Sequence, residues 1–152
     1  MTGPITIRDL RDTERAWANA QYRAIQFAET PPDAVALVAE VAEPGHARVG
    51  LGRLVAHAPD VLERGGIWTD EAARGRGVAR AMVEALLSRA ERIGSTAQAT
   101  SRELWCIPFA HLAAFYQSFG FAVRAPPWPA PVAAKVADCV AHALPEVVVL
   151  AR

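Results

Sequence analysis

The chain has 152 residues, enough for one compact domain, and its 16 basic and 16 acidic side chains balance to zero formal charge. With 52% apolar and 21% charged residues it has the balance of a folded globular protein, which excludes a disordered chain; the neutral charge argues against nucleic-acid or membrane-surface partners. Met1–Arg8 lacks a signal-like apolar run, no stretch approaches the ~18 apolar residues of a membrane span, and Cys106 and Cys139 match no zinc or redox spacing. The expectation is one domain over residues 1–152, in a reducing cytoplasmic setting, with no metal.

Pieces of strand and helix character alternate along the chain, predicting a mixed α/β (α+β) architecture. Ile5–Arg8 reads as a first strand. Asp12 is the predicted cap of a helix with Ala16, Trp17, Ala20, Ala24 and Phe27 on its apolar face, stopped at Pro31-Pro32. Ala34–Val41 and Ala47–His57 read as strands of a hairpin around Glu43-Pro44-Gly45-His46, and Val61–Thr69 as a third antiparallel strand. Gly65-Gly66 inside that strand predicts a bulge or a close approach to the backbone. A long helix with Val78, Met82, Ala85, Leu86, Ala90 and Ile93 on its core face is expected to stop at Gly94. Leu104–Ile107 reads as a strand, followed by a helix that starts at Pro108, carries Leu112, Phe115, Tyr116 and Phe119, and closes at Gly120. Then come a strand Phe121–Arg124, a proline-rich loop Ala125–Pro131, a helix Val132–Leu144 and a buried final strand Glu146–Ala151.

The segment with chemical content is the strand, glycine-rich turn and helix from Ile67 to Ile93. This arrangement aims the free N–H groups of a helix start at one point and adds roughly half a positive charge there, a site suited to phosphate. Gly75 and Gly77 let a ligand lie against the backbone. Arg74, Arg76 and Arg80 crowd cations onto the positive end of the helix, a conflict that an anionic ligand relieves.

Arg74-Gly75-Arg76-Gly77-Val78-Ala79 resembles the coenzyme A pyrophosphate loop of the GCN5-related N-acetyltransferase (GNAT) family. About forty residues later, the run Ala113–Phe121, with Phe115-Tyr116 and Gly120-Phe121, is similar to the family's core in order and spacing. The resemblance extends over the whole chain. It implies a GNAT fold, a central mixed, mostly antiparallel sheet of about six or seven strands flanked by helices. Two central strands, here Val61–Thr69 and Arg102–Ile107, would splay apart to hold acetyl-CoA. Ile67, Trp68 and Thr69 would then line the pantetheine arm, with Arg74, Gly75, Arg76, Gly77, Val78 and Ala79 around the pyrophosphate.

The activity implied is N-acetyl transfer, in which an amine attacks the thioester directly, one group takes the amine's proton and another protonates the departing thiolate. Tyr116 stands at the position of the family's tyrosine acid; a phenol with a pKa near 10 is protonated at neutral pH and can serve a thiolate near 8.5. The alternative makes it a core aromatic beside Phe115, Phe119 and Phe121. Glu63 stands where some members carry a strand glutamate and is the candidate base; the alternative makes it an exposed glutamate paired with Arg64 or Arg53. His57 and His111 are further candidates for the base.

Two positions depart from the family pattern. Phe109 replaces a pantetheine-binding asparagine seven residues before the tyrosine, and Thr69 replaces an aliphatic residue. A dinucleotide-binding reading fails because Arg80 occupies the position of the third small residue. The rival from another class is a GNAT-like acyl-CoA sensor or interaction module without turnover. The absence of a basic tail leaves a small-molecule amine or an amino acid as the expected acceptor, with Trp17, Tyr22 and Trp128 as candidate pocket residues. Homodimerisation is common in the family, and the final strand is a candidate element for it, although no sequence feature identifies the interface.

Overall fold

The computed structural model describes residues 2–43, 45–96 and 103–152. The chain forms two compact units, Met1–Val55 with Gly65–Ala97 and Ala56–Arg64 with Gln98–Arg152.

In the first unit, β1 (Thr2–Asp9) leads through a 3-10 turn at Asp12–Glu14 into helix α1 (Arg15–Ala24). Glu14 fastens the turn by accepting the Arg11 N–H at 2.9 Å. The buried face of α1 is Ala18 and Tyr22, while Ala16, Ala20 and Ala24 are exposed, so the expected face is rotated. Alanines carry similar weight on every side of a helix; the large Tyr22 ring, 2% exposed, sets the orientation. β2 (Val35–Glu43) and β3 (Ala47–Ala58) form the predicted antiparallel hairpin, with Val35 opposite Leu54 and Val41 opposite Ala47; Pro44 of its turn lies outside the described residues. β1 pairs with β2, also antiparallel.

β4 spans Val61–Thr69, and helix α2 spans Val78–Thr96. α2 continues through Gly94, where the sequence reading ends it; one helical glycine costs only about 1 kcal/mol relative to alanine, which a helix with a packed face absorbs. That face is Val78, Met82, Val83 and Leu86, with Val83 an addition to the expected set. Two glycines of β3 let α2 settle close to the sheet. A Cβ on Gly50 would lie 2.6 Å from Val78 Cγ1, and one on Gly52 2.7 Å from Met82 Cγ. The core of this unit joins Ala18, Tyr22, Val38 and Leu51, with Trp17, Phe27 and Trp68 packed against them.

In the second unit, β5 (Glu103–Cys106) runs parallel to the first half of β4, in register from Val61 and Glu103 to Arg64 and Cys106; Arg102 of the expected strand lies outside the described residues. A 3-10 turn at Ala110–Leu112 leads into α3 (Ala113–Gln117), followed by β6 (Ala122–Val123), α4 (Ala130–Ala141) and β7 (Leu150–Ala151). The final strand is shorter than its apolar run suggests. Glu146 and Val148 bond instead to the segment before α3, Ala110 N–H to the Glu146 carbonyl at 2.8 Å and Val148 N–H to the Pro108 carbonyl at 3.0 Å. α4 begins at Ala130, two residues early, because Pro131 suits a helix's first turn. Val61, Trp105, Ile107, Val132, Val149 and Ala151 form this unit's core, with Trp128 against it.

The strands make one mixed seven-stranded sheet in the order β1-β2-β3-β4-β5-β7-β6, flanked by helices. β3 and β4 contribute residues to both units. No described helix is long and apolar enough to cross a membrane.

Candidate active site

The first unit carries the glycine loop. After β4, a 3-10 turn at Glu71–Ala73 is anchored by the fully buried Ala73, and Asp70 N–H bonds back to the Val49 carbonyl at 2.8 Å. The chain then passes through Gly75 at φ +79 and Gly77 at φ +82 into α2, where Ala81 N–H meets the Gly77 carbonyl at 3.0 Å. Side-chain-bearing residues rarely adopt these angles, and a Cβ on either glycine would meet nothing within 4 Å. The loop therefore keeps both its glycine geometry and open space at the start of a 19-residue helix, with Arg74, Arg76 and Arg80 exposed around it. A helix's first N–H groups lack intrahelical acceptors, and its positive end favours an anion, so these residues fit the diphosphate of coenzyme A. Val78 is buried and Ala79 half-buried, which places their side chains in the packing and leaves their backbone as the part available to a ligand.

Ile67, Trp68 and Thr69 are half-buried at the end of β4. Just before them Gly66 has φ +61, a left-handed residue inside a strand, as the glycine pair predicts for an irregular position. Its carbonyl accepts the Tyr22 hydroxyl at 2.7 Å. Beneath it Arg53 is buried, stacked 4.4 Å from the Tyr22 ring and tied to the Ala28 carbonyl and the Thr30 hydroxyl. Trp17 packs edge-on against Trp68 at 5.8 Å and carries Arg48 over its ring. Tyr22, a candidate pocket residue, is thus a core residue whose hydroxyl holds β4, a link that no local spacing in the sequence signals.

The second unit carries the titratable groups. Glu63 is 4% exposed, which corrects the reading of it as a solvated glutamate paired with Arg64 or Arg53. Its Oε1 lies 2.8 Å from His57 Nε2, and its Oε2 accepts from Lys135, the chain's single lysine. Burial opposes the Glu63 charge, yet the Lys135 ammonium and the His57 bond outweigh it and hold the carboxyl below its usual range. His57 keeps about a third of its side chain exposed.

Tyr116 is 3% exposed, packed edge-on against Phe115 and Phe121. The Arg64 guanidinium sits 4.2 Å from its ring centroid. Burial pushes the Tyr116 phenol up while Arg64 pulls it down, leaving it above its ordinary value and protonated at neutral pH. Arg64 also donates to Cys106 Sγ at 2.8 Å; burial raises that thiol against the pull of Arg64. Sequence reasoning paired neither Arg64 with Tyr116 nor Lys135 with Glu63, because contacts across strands and helices leave no local pattern. His111 is exposed, its ring stacked against Phe109, which itself bridges to Val147. Trp128 is half-buried, its indole N–H donating to the Arg124 carbonyl at 2.9 Å. Among the described residues no cluster of His, Cys, Asp and Glu is arranged to hold a metal ion.

Comparison with known proteins agrees with the fold. A candidate N-acetyltransferase from Lactobacillus plantarum superposes with a TM-score of 0.67 at 20% identity, covering 99% of this chain and 98% of its own. Rv2747 from Mycobacterium tuberculosis, solved in complex with CoA, gives a TM-score of 0.68 at 17% identity, with 96% and 97% covered. N-acetylglutamate synthase from Neisseria gonorrhoeae, complexed with coenzyme A and N-acetyl-glutamate, gives 0.72 at 13% identity over all of this chain and 35% of its own. None of the curated proteins compared with the chain matches it. These likenesses carry the fold. The family follows from residues 32–123, which match the model described as an acetyltransferase (GNAT) domain, and the chain belongs to the GNAT acetyltransferase family.

Proposed function

We propose that the chain is a cytoplasmic, acetyl-CoA-dependent N-acetyltransferase, one catalytic domain over residues 1–152, acting on an amine of a small molecule or amino acid by direct attack on the thioester. The observation that carries the reading is the glycine loop, whose backbone conformation and open space at Gly75 and Gly77 fit a diphosphate. Acetyl-CoA supplies the activated acetyl group. Arg74, Arg76 and the backbone of Gly75–Ala79 bind its pyrophosphate, and the backbone of Ile67, Trp68 and Thr69 aligns the pantetheine arm.

Tyr116, kept protonated by burial, donates its proton to the thiolate as the carbon–sulfur bond breaks. On the acceptor side, both Glu63 oxygens are engaged, so the carboxylate works through its neighbour: it orients His57, and the imidazole takes the proton that the amine loses. That engagement also favours a second reading, in which the domain binds acyl-CoA without turning it over.

Calorimetric titration with acetyl-CoA, beside a Gly77→Asp variant that introduces a carboxylate into the loop, tests the reading. Binding lost in the variant supports the site, and absence of binding by the parent overturns it. An amine screen with Tyr116→Phe as control then separates enzyme from sensor.

A further inference from the structure

Arg64 is a costly residue to place where it lies. It is 4% exposed, its Nε is buried with no hydrogen-bond partner among the described residues, and its terminal nitrogen donates to the Cys106 thiol. The carboxylate beside it in sequence, Glu63, is bound to His57 and Lys135 instead. A buried cation without a carboxylate partner is ordinarily strongly disfavoured, so its retention points to work that an apolar side chain cannot do.

The geometry points to that work: we infer that Arg64 is the positioning residue of Tyr116, its guanidinium stacked on the phenol ring to stabilise the phenolate formed when Tyr116 gives up its proton. The inference rests on the proposed role of Tyr116 as acid. In that step the phenol O–H bond breaks, the proton forms an S–H bond with the departing sulfur, and the oxygen keeps the electron pair and the negative charge. That charge then lies on a buried side chain packed against Phe115 and Phe121, where burial disfavours it. A guanidinium 4.2 Å from the ring centroid is the cation in place to meet it. Arginine suits the position because its planar, weakly hydrated head stacks on aromatic faces, where an ammonium would need solvation. The bond to Cys106 at 2.8 Å fixes the plane of the stack from β5. The other ionisable groups near this pair are Cys106, which is uncharged and adds no cation, and Glu63, whose charge is paired with Lys135. Arg64 is thus the source of positive charge at the ring.

The test reads the ionisation of Tyr116 directly. The chain has two tyrosines, so the tyrosinate absorbance of the parent minus that of Tyr116→Phe isolates this one. The same subtraction is made in an Arg64→Met background, with circular dichroism confirming the fold at each pH. An opposite charge within ~4–6 Å moves a pKa by about 1–3 units, so the midpoint should rise by that amount in Arg64→Met, with Arg64→Lys falling between the two. Arg64→Gln, which retains a donor for Cys106, gives the same comparison if the methionine variant does not fold. Coincident midpoints in the parent and the neutral variants overturn the inference. Acetyl transfer that survives Tyr116→Phe would instead overturn the acid role of Tyr116, whatever the midpoints do.

Discussion

The Tyr22 hydroxyl donates to the carbonyl of Gly66 at 2.7 Å, joining the first helix to the strand position where the backbone turns left-handed, just before the residues proposed to align the pantetheine arm. Tyr22→Phe removes the donor and leaves that carbonyl buried without it, at a cost of about 1–3 kcal/mol. A drop in the denaturant midpoint with unchanged slope is the expected result, together with weaker acetyl-CoA binding as the end of β4 loosens. Unchanged stability would show that the bond does not hold the strand.

Gly52 sets how near α2 lies to β3. A Cβ there would sit 2.7 Å from Met82 Cγ and 2.9 Å from Leu86 Cδ1, both buried. Met82 is flexible enough to yield to one methyl, so Gly52→Ala should destabilise by roughly 1–3 kcal/mol and Gly52→Val by more. Thermal unfolding of the two variants orders them. If valine is tolerated as well as alanine, the close approach is not a constraint.

What the sequence reveals and what it hides divide along physical lines. The loop at Gly75 and Gly77, the hairpin before it and the strand–helix alternation were legible because local chemistry sets them: turn residues, periodicity and glycine conformations. The face of α1 was misread because four of its residues are alanines, which give the periodicity little contrast, while Tyr22 owes its burial to a partner 44 residues away. The end of α2 at Gly94 and the length of the last strand were misread because packing and long-range hydrogen bonds override local preference there. Around Tyr116 and Glu63 the residue types were visible, but Arg64, Cys106, His57 and Lys135 reach them only through the sheet and α4.

Glu14 gives the first unit an acid-sensitive element. Its bidentate pairing with Arg8 lowers its pKa from about 4.5 to about 2, against the effect of burial. Because the folded-state value is depressed, the stabilisation is fully present above pH 4.5 and is lost as pH falls toward 2. Arg8 retains partial solvent contact, so the contribution is on the order of 1–3 kcal/mol rather than that of a dry pair. Glu14→Gln should be less stable at pH 7 and flatter between pH 5 and 2, read from urea midpoints at each pH. Parallel pH profiles for parent and variant would remove Glu14 as the source.

The coupling of Glu63 to both His57 and Lys135 predicts distinguishable results for two substitutions. Glu63→Gln takes the charge from behind His57, the proposed base, and should reduce acetyl transfer by at most the roughly 10²–10⁴-fold that a general base is worth, while acetyl-CoA binding persists because the loop is untouched. Lys135→Met leaves the carboxylate in place but removes the charge that does most to offset burial, so Glu63 becomes easier to protonate. Glu63 has a depressed pKa in the parent, so its ionised form persists to lower pH than an ordinary carboxylate. In Lys135→Met the acid limb of kcat/KM should therefore move to higher pH, with activity at neutral pH reduced less than in Glu63→Gln. An acid limb that stays in place in Lys135→Met, or full activity in Glu63→Gln, would show that this buried carboxylate serves the fold alone.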